Sequence, residues 1–338
     1  MNNIFSIGPY NKILLLGGGR LLRDLCVWAP SNKYHVSVIT SIRHALETIN
    51  NETLESFLKR NNISYLVVDN IETEEVENFI GDTQKTFCLS LGAAWIFKAN
   101  IMKKYFQNRL FNLHGTRLPQ NRGGGGWSWQ VMTANRFGFC TLHLVDEGID
   151  TGDLVLFDEF LYPATCRIPI DYENLYVKKN IVFLTNLLKK LISKEKHLKL
   201  IAQTEYLSTY WPRLDSLTHS WIDWSMEEYD LERFICAFDD PYIGAQTYIN
   251  GKSVHLKSVS LNFQDGVFHN YQSGLIYRKT KSWICVCVKG AALIIEQVTD
   301  KNGNDMLNSI RAGDRFTTPT AKLENNKQRV EYSPTGLK

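Results

Sequence analysis

Through the first third of the chain, short apolar blocks alternate with amphipathic stretches and with breaks that carry glycine or proline. The block 12–16 reads as a buried strand ending in Gly17-Gly18-Gly19. The stretch 20–28 reads as a helix stopped by Ala29-Pro30. The alternation continues with strands at 34–39, 65–68, 86–90 and 110–113 and helices at 51–60 and 74–80. Repeated strand–helix units predict an α/β fold, a mostly parallel sheet covered on both faces. From 127 the pattern changes. A helix at 127–135 precedes two strand-like runs, 138–145 and 154–160, which read as an antiparallel pair around a turn. Ile181, Leu184, Leu187, Leu188 and Leu191 recur at helical spacing within a long helix over 171–196.

Residues 201–213 lack either period and read as a linker. Beyond them a helix at 226–238 is entered through Asp223-Trp224-Ser225 and ended by Asp239-Asp240-Pro241. Short β-rich runs follow at 245–249, 253–259, 273–278, 284–288 and 292–298, with turns at Asn250-Gly251, Asp265-Gly266 and Lys289-Gly290. This spacing predicts a small barrel or sandwich. The organisation is therefore an α/β domain over 1–200, a linker over 201–213, a small β-rich domain over 214–320 and a polar tail over 321–338, read as frayed.

Composition narrows the function classes. At 338 residues, 44% hydrophobic and 22% charged, with a net charge of +3, the chain matches an ordinary soluble protein. It carries no bulk electrostatics for nucleic acid or membrane. Its apolar runs are too short to span a bilayer, and its first residues lack the features of a secretory signal, so a cytoplasmic location is expected. The seven cysteines are odd in number and scattered without a C-x-x-C, which predicts reduced thiols and no metal site.

The candidate chemistry centres on Phe111-Asn112-Leu113-His114-Gly115-Thr116-Arg117-Leu118-Pro119 and on Asp146-Glu147-Gly148-Ile149-Asp150-Thr151-Gly152. Asn112 and His114 are two apart, so on a strand they share a face. An amide, an imidazole and a carboxylate at Asp150 can transfer an acyl group to an amine without a covalent intermediate or a metal. Gly17-Gly18-Gly19 precedes a helix but matches neither dinucleotide nor P-loop spacing, so a tight turn is the better reading. In Arg122-Gly123-Gly124-Gly125-Gly126-Trp127, the glycines let backbone approach a ligand closely. Trp127 can stack on a base or sugar or simply pack in the core. His143 lies in a β-rich run and reads as structural.

Taken together, Asn112-x-His114, Leu118-Pro119 and Asp146-x-Gly148-x-Asp150-Thr151-Gly152 resemble the folate-dependent formyltransferases, and most of all the nucleotide-sugar N-formyltransferases. Asp240-Pro241-Tyr242 and Gly313-Asp314-Arg315-Phe316 extend the likeness into the second domain. The resemblance implies a Rossmann-like formyltransferase domain with a smaller OB-like C-terminal domain. It implies N10-formyltetrahydrofolate as the formyl donor and a primary amine as the acceptor. His114 would be the base for the amine or help stabilise the oxyanion, Asn112 would donate to the formyl oxygen, and Asp150 would orient and charge-stabilise the imidazole. The pterin would lie near Ser90, Gly92, Ala93, Leu118, Pro119 and Asp146. Thr116-Arg117 departs from the family's usual Ser-Leu before Leu-Pro, and no proline follows Arg122-Gly123, which bears on the acceptor.

Three acceptor readings compete: a nucleotide-linked amino sugar, methionyl-tRNA, and a non-catalytic folate- or nucleotide-binding module. From 205 to 338 the chain holds 15 Lys+Arg against 16 Asp+Glu, whereas a domain that grips tRNA should be basic. Arg117, Arg122, Gly124 and Trp127 suit a compact diphosphate-sugar better. The expected partner is therefore a nucleotide sugar, with a dTDP-linked 3-amino- or 4-amino-dideoxyhexose first, no nucleic acid and no membrane. The resembling enzymes imply a homodimer serving bacterial surface polysaccharide (O-antigen) synthesis.

Overall fold

A computed structural model describes residues 4–124 and 126–337. In chain order the first domain runs β1 (Ile4–Ile7), β2 (Lys12–Gly17), α1 (Arg20–Ser31), β3 (His35–Thr40), α2 (Ile42–Ala45), α3 (Leu54–Arg60), β4 (Ser64–Val67), α4 (Glu74–Ile80), β5 (Thr86–Leu91), α5 (Ala99–Lys104), β6 (Leu110–His114), α6 (Gly126–Met132), β7 (Phe137–Leu144), β8 (Leu154–Leu161), α7 (Pro169–Leu191) and β9 (Lys196–Lys199). Seven strands form one sheet in the order β8-β7-β6-β5-β2-β3-β4. The five from β4 to β6 are parallel, and β7 and β8 continue the sheet antiparallel. Ile13 to Leu16 of β2 are all buried, which is why this strand is an unbroken apolar run rather than an alternating one. Ile13 and Leu15 face the layer containing α1 and α7, while Leu14 and Leu16 face the layer with Val76, Ile80, Ile101 and Phe106.

Three boundaries differ from the expectations. α1 absorbs Pro30 in its last turn, and Asn32 closes it by donating its amide to Ala29 O at 3.0 Å. α7 ends at Leu191, because Lys196–Lys199 leaves to pair with β1, setting Phe5 opposite Leu198. That partner is almost two hundred residues away, beyond the reach of local periodicity. The linker is also not free: Ile201 bridges Leu154, and Tyr210–Trp211 pairs in parallel with Arg122–Gly123.

The second domain curls an antiparallel sheet around its own core. Its strands are β10 (Ala245–Ile249), β11 (Lys252–Asn262), β12 (Ile276–Lys279), β13 (Ile284–Val288), β14 (Ala291–Thr299) and β15 (Phe316–Thr317), in the order β12-β13-β14-β11-β10-β15. β12 starts later than its apolar run because 270–272 forms a 3₁₀ turn. α8 (Glu228–Ala237) covers the sheet and packs on α6, where Ser128 Oγ donates to Ala237 O at 2.8 Å. The two domains thus share a core that includes Val131, Tyr162, Tyr172, Phe234 and Leu256. The tail past Thr317 is folded, not frayed. It forms α9 (Thr320–Asn325) and a hairpin pairing Tyr332–Ser333 with Gly336–Leu337. All seven cysteines are free thiols, six of them buried. No helix among the described residues is long and apolar enough to cross a membrane.

Candidate active site

The sheet's parallel strands leave a crevice at their carboxyl ends where the chain order reverses, between β2 and β5, the usual ligand position in open α/β sheets. β6 ends in this crevice and carries Asn112 and His114 on one face. β7 returns antiparallel beside it with Asn112 opposite His143 and His114 opposite Thr141. Three side chains, Asn112 and His114 of β6 and His143 of β7, therefore meet a carboxylate delivered by the β7–β8 turn. Asp150 holds that turn in the left-handed region, φ 55°, a conformation that Asp tolerates better than most residues. The turn must also pass close to β7: a Cβ at Gly152 would lie 1.9 Å from Leu144 O, so only glycine fits.

The carboxylate is tightly held. Asp150 Oδ2 accepts from the Gly123 amide at 2.9 Å and lies 3.7 Å from His114 Nδ1. Its Oδ1 accepts from Asn112 Nδ2 at 3.3 Å and lies 3.5 Å from His143 Nε2. The Gln203 amide donates to the backbone carbonyls of Asp150 (2.8 Å) and Gly152 (2.7 Å), which fixes the turn from outside. Burial alone would raise the Asp150 pKa. His114, His143 and the Gly123 amide outweigh it and hold the carboxyl well below the usual carboxylate range. On its far side, His114 Nε2 sits 2.7 Å from both Asn121 O and Thr116 Oγ1. Both ring nitrogens therefore face oxygen, which pins the plane of the ring.

His143 is only 2% exposed. Its Nδ1 donates to Leu144 O at 2.7 Å, which leaves Nε2 to accept from Asn112 Nδ2 at 3.0 Å. Asn112 thus gives both amide hydrogens to interior partners. His143 is consequently part of the site and not merely part of the strand.

Two cavities meet at this cluster. One of about 470 Å³ is lined by Ser90, Gly92, Ala93, Asn112, His114, His143, Asp146 and Asp150. The other, about 340 Å³, is lined by Gly18, Gly19, Arg20, Gly124, Trp127, Glu173, Tyr176, Trp211 and Arg213. His114, Gly92, Gly123, Gly124 and Arg213 border both. Asp146 accepts from the Gly148 amide and from Thr151 Oγ1, and so shapes its own turn. Gly125, within the glycine run, lies outside the described residues.

Four of the residues expected to bind ligand stand elsewhere. Leu118 and Pro119 are buried under the turn and line neither cavity. Arg117 is exposed and also lines neither. Arg122 is buried with its guanidinium on Gln203 (3.1 Å) and Glu205 (2.6 Å), so it anchors the linker. The turn after β2 already has an anionic occupant, because the Gly19 amide donates to Glu47 Oε2 at 3.2 Å. His143, Gln203, Trp211 and Arg213 had no local signal in the sequence. Only the antiparallel register reveals His143, and only the path of the linker reveals the other three.

Comparison with known proteins agrees with this architecture. The formyl transferase C-terminal domain family matches residues 217–311. A methionyl-tRNA formyltransferase of Acetivibrio thermocellus is 24% identical over 245 residues, covering 72% of this chain and 76% of the relative. Matches to three other methionyl-tRNA formyltransferases span 58%, 57% and 63% of those proteins. Among solved structures, WlaRD, a sugar 3N-formyltransferase crystallised with dTDP and 5-N-formyl-THF, superposes with a TM-score of 0.62 at 20% identity over 84% of this chain and 97% of that one. The Helicobacter canadensis N-formyltransferase, in complex with folinic acid and dTDP-3-aminofucose, gives a TM-score of 0.63 at 17% identity over 85% and 99%.

Proposed function

We propose that this chain is a folate-dependent formyltransferase and that it moves the formyl group of N10-formyltetrahydrofolate to the primary amine of a nucleotide-linked amino sugar. The acceptor of first choice is a dTDP-linked 3-amino- or 4-amino-dideoxyhexose. The observation that carries this reading is the place of His114, with one ring nitrogen toward Asp150 and a separate cavity on each side.

The larger cavity fits a pterin and its formyl-bearing nitrogen. Its walls come largely from 90–97 and 145–150, strand ends and turns whose backbone groups could pair with a pterin edge, and no atom would lie within 4 Å of a Cβ at Gly92. When bound there, N10-formyltetrahydrofolate supplies a formyl carbon attached to a nitrogen leaving group. The remaining work falls to this chain's residues. His114 receives a proton from the attacking amine as the new C–N bond forms, Asp150, ionised at neutral pH, stabilises the imidazolium that results, and that imidazolium returns the proton to the folate nitrogen as its bond to the formyl carbon breaks. General acid–base help of this kind contributes roughly 10²–10⁴-fold. Asn112, its amide drawn from His143 and Asp150 toward the cleft as the donor binds, donates to the formyl oxygen as negative charge grows there, a contribution of about 10²–10³-fold. His143 positions Asn112 by holding the inner side of its amide.

The smaller cavity supports the sugar-nucleotide acceptor. Trp127 and Trp211 offer aromatic faces for a base, and Arg213 and Arg20 lie at its rim. A methionyl-tRNA acceptor is the second reading, favoured by the sequence relatives. Against it stands a C-terminal half that carries slightly more acid than base. We also place the enzyme in the cytoplasm as a homodimer that serves surface polysaccharide synthesis. The test is a formylation assay with N10-formyltetrahydrofolate across dTDP-, UDP- and GDP-linked amino sugars and initiator Met-tRNA. Turnover with a dTDP-amino sugar is the expected result; turnover with Met-tRNA alone would overturn the acceptor assignment.

A further inference from the structure

The tail reaches back from the C-terminal domain onto the first domain. Pro334 O accepts from the Arg43 amide at 3.2 Å, Gln328 O lies 2.8 Å from His219 Nε2, and the Tyr332 hydroxyl donates to Asp215 Oδ1 at 3.1 Å. The Tyr332 ring rests on two guanidiniums, with Arg213 Cζ 4.7 Å and Arg43 Cζ 5.5 Å from its centroid. Tyr332 lines the larger cavity, and Arg213 borders both. A mobile-looking C-terminal sequence thus closes over the junction of the two ligand sites.

What lies beneath the ring is a concentration of positive charge. Arg43 and Arg213 act on each other as like charges, and burial together with Arg213 lowers the Arg43 pKa. His44, 3.2 Å from Arg43, is pushed down to about 4 by burial, Arg43 and Arg213. Arg43 Nε and His44 Nδ1 are buried without a hydrogen-bond partner among the described residues. His44 also packs directly under Gly18, at the floor of the smaller cavity. A neutral ring satisfies two crowded guanidiniums poorly. Cation–π contacts are much weaker than charge-assisted bonds to phosphate oxygens, and a guanidinium fork matches those oxygens in shape.

We propose that Arg43 and Arg213 clamp the diphosphate of the acceptor, and that Tyr332 is a place-holder that this diphosphate displaces. The proposal rests on the nucleotide-sugar reading above. A diphosphate is favoured over the folate's carboxylates because Arg213 packs against Gly124 and shares the smaller cavity with Trp127 and Trp211. Binding would then swing the hairpin outward and open the cleft as the acceptor arrives.

Calorimetric titration of the full chain with inorganic pyrophosphate, dTDP and 5-formyltetrahydrofolate tests this. Arg43→Gln and Arg213→Gln should each weaken pyrophosphate and dTDP binding by roughly tenfold or more. Arg43→Gln should leave 5-formyltetrahydrofolate unaffected, and Tyr332→Ala should tighten pyrophosphate. Failure of pyrophosphate to bind both the native chain and Tyr332→Ala overturns the clamp. So does an Arg43→Gln effect on 5-formyltetrahydrofolate as large as that on pyrophosphate. Should Tyr332→Ala not fold, hydrogen exchange on the native chain decides: pyrophosphate must deprotect the amides of 328–334, and unchanged protection refutes the place-holder. None of these readouts needs turnover. A chain that binds pyrophosphate in this way but formylates no nucleotide sugar would overturn the acceptor reading and not the clamp.

Discussion

The two cavities that meet at His114 are built in opposite ways. The larger draws most of its lining from two local stretches, within 90–97 and 145–150, set beside the ends of β6 and β7. The smaller sets glycines at 18, 19, 124 and 126 among large side chains drawn from four separate segments: Arg20, Trp127, Glu173 with Tyr176, and Trp211 with Arg213. A wall made of local stretches is set by the fold itself, whereas one assembled from scattered side chains can be rebuilt one residue at a time. The first arrangement suits a ligand that stays the same, and the second suits one that varies. Burial raises the Glu173 pKa despite Arg20 nearby, so even the acidic side chain of the smaller cavity is shielded from water.

The sharpest test of this contrast removes the group common to both sides. His114→Ala and Asp150→Ala should each lower kcat by about 10²–10⁴-fold while the protein stays folded, Asp150→Ala with a lowered thermal midpoint because the Gly123 amide and Asn112 lose their acceptor. Turnover within a few-fold of native in either variant would remove the mechanism. Next in size is His143→Phe, which takes away the inner partner of Asn112. A loss of roughly tenfold or more in kcat, with little change in KM for the folate, marks a positioning role. A change confined to stability would make His143 structural after all. Trp127→Ala acts on the smaller cavity alone and should raise KM for the nucleotide sugar by about tenfold while sparing KM for the folate. Equal effects on both would erase the distinction between the cavities. The smallest effect concerns pH. The Asp150 carboxyl is depressed in the folded protein, so its stabilising contribution is fully present above the ordinary carboxylate range and is lost only as pH falls through its lower folded value. Between about pH 5 and pH 8 Asp150 stays ionised, so denaturant titrations of the native protein should show the loss of its contribution only below that window.

The same contrast explains what the sequence revealed. Asn112, His114 and Asp150 were legible because strand alternation and a glycine-bounded turn are local patterns, and the larger cavity inherits them. Ser90, Gly92 and Ala93 were expected only through the family resemblance, and all three line that cavity. The contact of His143 with Asn112 was not legible, because it depends on which residue of β6 His143 faces, and that register is fixed by pairing, not by periodicity. Arg122 looked like a phosphate ligand but is consumed by Gln203 and Glu205, more than eighty residues away. The smaller cavity was the least legible, since Trp211 and Arg213 reach it from a segment that looked like a linker. At the fold level, the parallel sheet was apparent from its buried blocks, while β1 and β9 were not, because each is marginal without its distant partner.

Gln203 carries one more implication. Its amide clasps the carbonyls of Asp150 and Gly152, and its own oxygen is held by Arg122, yet it belongs to the connector between the domains. The catalytic turn is therefore finished by chain that comes after the α/β domain has ended. A fragment cut at residue 200 would keep the sheet and all three chemical groups, but it would lose the brace that sets the carboxylate's height above the imidazole. Exchanging C-terminal modules between relatives would succeed only at junctions placed after this brace, so evolution can vary the second domain freely while the connector travels with the first.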